Sequence, residues 1–282
     1  MAGTLDIATM SRDEVELAIG LAAAEGWNPG VHDATTFFAA DPEGFLVGRL
    51  DGRPVACISA VSYGARFGFI GLYIVVPEYR GKGYGRALWN AGMAKLAGHN
   101  VGLDGVLAQQ PNYRRSGFRL AYSNVRFERE GALPAEPAGG IVDLAEVPFG
   151  LIDALDRLCF PAPRENFLRA WIAQPDAAGR ACIERGALRG YGVIRRCRHG
   201  SKIGPLFAVD AGVAEALYLA LCAEVGPREA VYLDVPEVNA AAMALTAKYA
   251  MKQVFGTARM YTGEAPAIAL DRVFGVTTFE LG

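Results

Sequence analysis

Paired cysteines, metal-ligand clusters, long apolar runs and a strong net charge are all missing from this sequence, and each absence closes off a class of function. The five cysteines (Cys57, Cys159, Cys182, Cys197 and Cys222) are odd in number and never within C-x-x-C reach of one another. That excludes a disulfide scaffold or a zinc ribbon and reads as buried thiols in a reducing cytoplasm. His32, His99 and His199 lack metal-ligand spacing, so no metal is expected. No segment approaches the roughly 20 apolar residues of a membrane span. Met1 to Trp27 carries Asp6, Arg12, Asp13, Glu14 and Glu16 ahead of the short apolar run Ala18 to Ala24, the start of an amphipathic helix and not a signal peptide. With 28 basic against 30 acidic residues the formal charge is −2. The whole-chain field therefore offers no pull toward nucleic acid or an anionic membrane, and neither is an expected partner.

What is present is core material: 52% of the 282 residues are hydrophobic and 21% charged, the composition of a folded chain long enough for two domains of about 150 residues. The clearest linker is Gly131-Ala-Leu-Pro-Ala-Glu-Pro-Ala-Gly-Gly140, whose prolines and glycines carry neither helical nor strand pattern. It divides the chain into residues 1–133 and 134–282. The two parts are weakly self-similar. Val101-x-Leu103-Asp104 returns as Val231-x-Leu233-Asp234, Ile70-Gly71 as Ile203-Gly204, the turn Asp51-Gly52 as Arg185-Gly186, and Gly117-Phe118 as Ala250-Met251, all at offsets of 130 to 134 residues. A nearly constant offset favours duplication.

Each half reads as α/β, with helices, a strand hairpin, a buried strand, a helix, a strand, a helix and closing strands. Phe45–Leu50 and Pro54–Val61 flank the Asp51-Gly52 turn, and Phe69–Val76 is an unbroken apolar run suited to a strand covered on both faces. Gly85 to Leu96 carries a helical stripe, and Val101 to Leu107 forms the next strand. Gly190–Ile194, Lys202–Val209, a helix from Ala211 to about Val225 and Ala230–Val235 repeat the order.

The most informative segment is Val76-Pro-Glu-Tyr-Arg80-Gly-Lys-Gly-Tyr-Gly85-Arg-Ala-Leu88, between the buried strand and its helix. Glycines at alternate positions allow a tight turn that aims several N–H groups at one point. The helix dipole adds roughly half a positive charge there, a setting that suits a pyrophosphate. Arg80, Lys82 and Arg86 add cations. The P-loop pattern is absent, and G-x-G-x-x-G fails because Arg86 stands where its third glycine belongs. The bland alternative, a plain strand-to-helix turn, needs neither the glycines nor the cations.

This segment resembles the coenzyme A loop of the GNAT acyltransferase superfamily, R/Q-x-x-G-x-G/A after a strand ending in V-x-P, which Arg80, Gly83 and Gly85 fill. Downstream, Tyr113-Arg-Arg-Ser-Gly117-Phe118 is similar to the family's Y-x-x-x-G-F. The resemblance covers residues 1 to about 130 by motif and the second half only by topology. It implies two tandem GNAT-like domains, each a mixed, mostly antiparallel sheet flanked by helices. It also implies acetyl-CoA as co-substrate, held by Ile74, Val75, Val76, Arg80, Gly81, Lys82, Gly83, Tyr84, Gly85 and Arg86, and direct transfer of the acetyl group to a primary amine of a small molecule or peptide in a ternary complex. Tyr113 is then the group that protonates the leaving thiolate, unless it is a core tyrosine.

A lysine-like amine, pKa near 10.4, costs about 4.6 kcal/mol to neutralise at pH 7, so a base or proton wire is needed. Relatives carry a glutamate on the central strand, whereas Phe69–Val76 holds no acid. Glu78 reads as an exposed turn residue. Trp27, Asn28 and Asp33 are the candidates for acceptor contact or relayed proton removal, with a structural Asn-Pro-Gly turn and a helix-capping Asp33 as the alternative. The basic run Arg195 to Lys202 reads as a solvated strand end.

In the second half the glycine loop's counterpart is Val209-Asp-Ala-Gly-Val-Ala-Glu215, with an acid and no cations, and Thr246 stands in Tyr113's place. That half is expected to have lost coenzyme chemistry and to complete the acceptor pocket or stabilise the first. Arg164 and Trp171 are possible contributors. Two other readings stay open: a non-catalytic acyl-CoA sensor, and a nucleotide or phosphoryl enzyme using the same loop.

Overall fold

The computed structural model describes residues 4–133 and 139–282. The predicted division falls at residue 134, outside the described residues. In the first half β1 (Asp6–Thr9), α1 (Arg12–Ala24), α2 (Asp33–Ala40), β2 (Phe45–Leu50), β3 (Arg53–Tyr63), β4 (Phe67–Val75), α3 (Tyr84–Lys95), β5 (Asn100–Val106), α4 (Gln110–Arg115) and β6 (Arg119–Glu130) follow one another. The second half runs β7 (Ile141–Asp143), α5 (Phe149–Cys159), α6 (Glu165–Ile172), β8 (Ala177–Glu184), β9 (Ala187–Arg196), β10 (Ser201–Ala208), α7 (Ala211–Cys222), β11 (Ala230–Pro236), α8 (Ala240–Lys248), β12 (Lys252–Tyr261) and β13 (Val273–Gly275). Among the described residues, no helix is long and apolar enough to cross a membrane.

Asp51-Gly52 and Arg185-Gly186 make matching hairpin turns, with φ of +49° and +77° in one and +51° and +79° in the other. Two successive positive φ values twist the turn the way the strands twist. The ladders that follow also match: β3 pairs antiparallel with β4 as β9 does with β10, and the only parallel pairings among the described strands are β4 with β5 and β10 with β11.

The two halves share one sheet because they exchange their last strands. The order is β1-β2-β3-β4-β5-β12-β6-β11-β10-β9-β8-β7. Strand β12 of the second half completes the first half's sheet against β5, β6 of the first half pairs with β11 of the second, and β6 and β12 pair with each other at the centre. This exchange explains the repeated Val-x-Leu-Asp. Asp104 accepts from Arg259 of β12, with Nε at 3.0 Å, and Asp234 accepts from Arg126 of β6 at 2.7 and 2.8 Å. Each aspartate meets the arginine of the strand that the other half contributes.

A third buried pair across the halves corrects the reading of the basic run. Arg195 is 1% exposed and donates to Asp33 at 2.8 and 3.1 Å, and Lys202, also 1% exposed, donates from Nζ to the Asn28 carbonyl at 3.0 Å. Arg196, Arg198 and His199 are exposed, as a solvated strand end would have them, whereas Arg195 and Lys202 are held inside by Asp33 and Asn28 of the first half. Nearby, Trp171 stacks on Phe37 at 6.2 Å, lies 4.3 Å below the Arg195 guanidinium, and donates to the Gly204 carbonyl at 2.8 Å. Arg164 is likewise buried, on Asp156 at 2.7 and 2.8 Å. Both are core residues.

Candidate active site

The site begins where β4 leaves β5. Their parallel ladder runs from Phe67 to Ile70 and stops. At Leu72 the backbone takes φ of +46°, with a register shift against β3 between Cys57 and Ser59. A bulge of this kind bends the strand and ends its pairing. Along the opening, between Gly71 and Val75, lies a cavity of about 910 Å3.

One end of the cavity is the start of α3. Gly81 (φ +73°) and Gly83 (φ +86°) make the turn that L side chains resist, and Gly83 sits directly before the helix. Among the described residues, the backbone amides of Gly81 to Arg86 have no acceptor within the chain; the first amide to bond is that of Ala87, to the Gly83 carbonyl at 3.1 Å. Such a row of free N–H groups at a helix N-terminus is an anion site. Gly85 is tight: a Cβ there would stand 2.7 Å from the Tyr73 hydroxyl.

Of the residues expected to hold the coenzyme, Ile74, Val75, Arg80, Gly81, Gly83, Gly85 and Arg86 line this cavity. Val76, Lys82 and Tyr84 do not. The Val76 amide is committed to the Val55 carbonyl at 2.9 Å, Lys82 bonds back to the Glu78 carbonyl at 2.9 Å, and Tyr84 is buried against the core. Arg80 is braced by its own chain, Nε on the Val75 carbonyl at 2.8 Å and the guanidinium on the Glu25 carboxylate. Glu78 is exposed and outside the lining.

Tyr113 also lines the cavity, from α4, with its ring 5.7 Å from that of Trp89. Gly105 makes room for it, since a Cβ at that position would lie 2.2 Å from the tyrosine ring. Burial, with Tyr73 adding to it, pushes the Tyr113 phenol up to about 12. It is a hydrogen-bond donor throughout the neutral range.

The expected acceptor residues separate. Trp27 lines the cavity; Asn28 and Asp33 do not. The Asn28 side chain is closed on the backbone of His199, donating to its carbonyl and accepting from its amide, both at 2.9 Å. Asp33 is fully buried, with Arg195 on both oxygens and the Gly30 amide at 2.7 Å. A carboxylate so engaged cannot relay a proton to the cavity, so both are corrected to structural residues.

In their place the cavity is walled by Arg126, Phe255, Thr257, Phe279 and Glu280, none of them picked out from the sequence. Phe279 and Glu280 lie on the segment after β13, which drapes over β4. A Cβ on Gly71 would come 1.9 Å from the Glu280 carbonyl oxygen, so only glycine lets the segment lie there. The Tyr63 hydroxyl donates to the Leu281 carbonyl at 3.0 Å and fixes it. The one signal in the sequence is an acid, Glu280, standing at the end of an otherwise uncharged stretch.

In the second half the counterpart opening between β10 and β11 is filled by the chain itself. Those strands pair only from Ser201 to Ile203, and β13 lies antiparallel on β10 at Leu206 and Phe207. The helix that follows caps itself as well, Asp210 accepting the Val213 amide at 2.9 Å. Thr246 bonds within its own helix, to the Met243 carbonyl at 2.8 Å. Asp210→Ala is expected to cost about 1 kcal/mol, the usual value of such a cap, read as a lower urea midpoint. It should open no anion site, because β13 stays in place.

A profile described as the acetyltransferase (GNAT) family matches residues 13–118, and one described as an acetyltransferase (GNAT) domain matches residues 152–275. Holothin acyltransferase of Pseudoalteromonas sp. (strain SANK 73390) is 28% identical over 272 residues, 96% of this chain and 92% of that protein. The uncharacterized N-acetyltransferase YitH of Bacillus subtilis (strain 168) is 24% identical over 234 residues, 82% of each. The fold is shared with a putative acetyltransferase from Pyrococcus horikoshii, at a TM-score of 0.84 and 22% identity over 100% of this chain and 97% of that one. It is also shared with a tandem GNAT protein from the clavulanic acid biosynthesis pathway, at 0.64 and 17% over 93% and 100%.

Proposed function

The chain belongs to the GNAT superfamily, with one such domain in each half, and from that premise we propose that its first half transfers an acetyl group from acetyl-CoA to a primary amine by direct attack. The observation that carries this reading is the row of unbonded amides from Gly81 to Arg86 beside the unpaired edge of β4. The amides and Arg86 suit the pyrophosphate, and the strand edge suits the amide groups of the pantetheine arm. In the second half β13 and Asp210 occupy the equivalent places, so one coenzyme per chain is expected.

In the reaction the amine nitrogen bonds to the thioester carbonyl carbon as the carbon–sulfur bond breaks. One proton ends on sulfur, and the products are an amide and free CoA. Tyr113 would donate a hydrogen bond to the departing sulfur. The five buried thiols suit work in the cytoplasm.

Titration calorimetry with CoA tests the reading. One site per chain is expected, weakened at least about tenfold by Gly85→Val, whose side chain must displace Tyr73. Heat with ATP and none with CoA would sink the proposal in favour of a nucleotide enzyme.

A further inference from the structure

The two ends of the cavity carry opposite electrostatics. At the α3 end stand the free amides and Arg86, which has no ion-pair partner among the described residues. Of the other arginines that line the cavity, Arg80 is paired with Glu25 and Arg126 with Asp234, and Arg115, on α4 beside Tyr113, has no ion-pair partner among the described residues. At the far end Arg126 is bidentate on Asp234 and gives a further hydrogen bond to the Trp27 carbonyl at 2.8 Å, and the lining Asp104 is engaged by Arg259 from outside the cavity. Gly71 and Val75 mark the two ends, about 13 Å apart at roughly 3.3 Å per residue.

One carboxylate at the far end forms no salt bridge among the described residues, although Arg126 and Arg195 act on it through space. Glu280 is 5% exposed and lines the cavity. Its Oε2 accepts from the Thr278 hydroxyl, whereas its Oε1 accepts no hydrogen bond from the described residues. Around it the walls are aromatic. Phe255 and Phe279 lie 5.8 and 4.9 Å from the Arg126 guanidinium, their rings 6.4 Å apart, and Trp27 adds an indole. The same cavity must also take the thioester arm, so the space left for an acceptor is small.

A buried carboxylate with a free oxygen, in an apolar setting, is stabilised by an arriving cation and repels an arriving anion. We infer that the acceptor is a compact primary amine with an aromatic or apolar body and no carboxylate of its own, its nitrogen received by Glu280. This rests on the acyl-transfer reading and deepens it. The amine arrives as an ammonium, and Glu280 takes one proton from it and later releases that proton to solvent. The freed lone pair forms the carbon–nitrogen bond, the carbon–sulfur bond breaks, and the second proton lost by nitrogen ends on sulfur. Glu280 thus supplies from the far end of the chain the base that the central strand lacks. Its placement is preorganised, because the Tyr63 hydroxyl and the Arg164 guanidinium hold the next two residues, Leu281 and Gly282, by their carbonyls at 3.0 and 3.3 Å.

The test compares phenethylamine and tryptamine with phenylalanine and tryptophan, which add only a carboxylate, by thiol release from acetyl-CoA. The full-length protein and Glu280→Gln are assayed, with CoA affinity measured for both. The amines are expected to exceed their amino acids in kcat/KM by about tenfold or more. Glu280→Gln should lower the amine rate about 100-fold or more, as removal of a general base does, with CoA affinity and melting temperature held. Glu280→Asp should recover part of the loss. Equal use of the amino acids, an unaffected Glu280→Gln, or failure of every aromatic amine while acetyl-CoA still binds would each overturn the inference. Absence of CoA binding would instead remove the acyl-transfer reading, and this acceptor with it.

Discussion

Tyr113→Phe is expected to lower kcat about 10- to 150-fold while coenzyme affinity stays within about twofold. The size follows from the phenol's acidity. With Tyr113 raised to about 12 and an ordinary thiol near 8.5, complete proton transfer to the thiolate runs uphill by about 5 kcal/mol. On the proposed function Tyr113 would therefore steady the departing sulfur by a charge-assisted hydrogen bond, worth about 1.5–3 kcal/mol. The corresponding fold-loss should fall on kcat, because the bond strengthens only as charge develops. Single-turnover kinetics with acetyl-CoA and an accepted amine checks it. A loss well beyond a thousandfold would mean that the tyrosine delivers its proton outright. A protein that only sensed acyl-CoA would have no turnover to lose.

Asp33→Asn should cost about 3–5 kcal/mol of stability, the usual penalty for stranding one member of a buried ion pair. Arg195 would be left charged beneath α2, with one nitrogen, Nη1, already lacking a partner among the described residues. Urea unfolding measures the loss, and the double variant Asp33→Leu with Arg195→Met should recover much of it, since neither charge then remains buried. The same pair gives the protein an acid limit. Burial pulls the Asp33 carboxyl upward, but Arg195 and the Gly30 amide outweigh it and hold it below its ordinary 3.8. Asp234 is held low in the same way by Arg126. A depressed carboxylate contributes stability in full above its unfolded value, and that contribution is lost as pH falls through the folded one. Unfolding should therefore set in below about pH 4, and the Asp33→Leu, Arg195→Met variant should show a shallower acid dependence. An unchanged acid profile in that variant would count against this assignment.

What could be read from the sequence was local. The turns at Asp51-Gly52 and Arg185-Gly186, the loop from Arg80 to Arg86 and the tyrosine at 113 each declare themselves within a few residues, because backbone conformation and helix polarity act over that distance. Long-range pairing leaves no such trace. Asp33 sits three residues after Gly30 and resembles a cap, yet its main partner is 162 residues away. The repeated Val-x-Leu-Asp marked Asp104 and Asp234 as equivalent without revealing that their arginines come from the opposite half. Glu280 stood out only as the one acid of an uncharged stretch, for the same reason: nothing nearby in the chain says that Gly71 makes a bed for it.

The exchanged strands also set a timetable for synthesis. Strand β5 ends at Val106, and the strand that must lie against it, β12, starts at Lys252, about 150 residues later. At roughly 5–20 residues per second the ribosome needs on the order of 7–30 s to supply it. Throughout that wait the nascent first half carries an open β5 edge and an incomplete cleft, so the first half's fold is completed only once β12 has emerged.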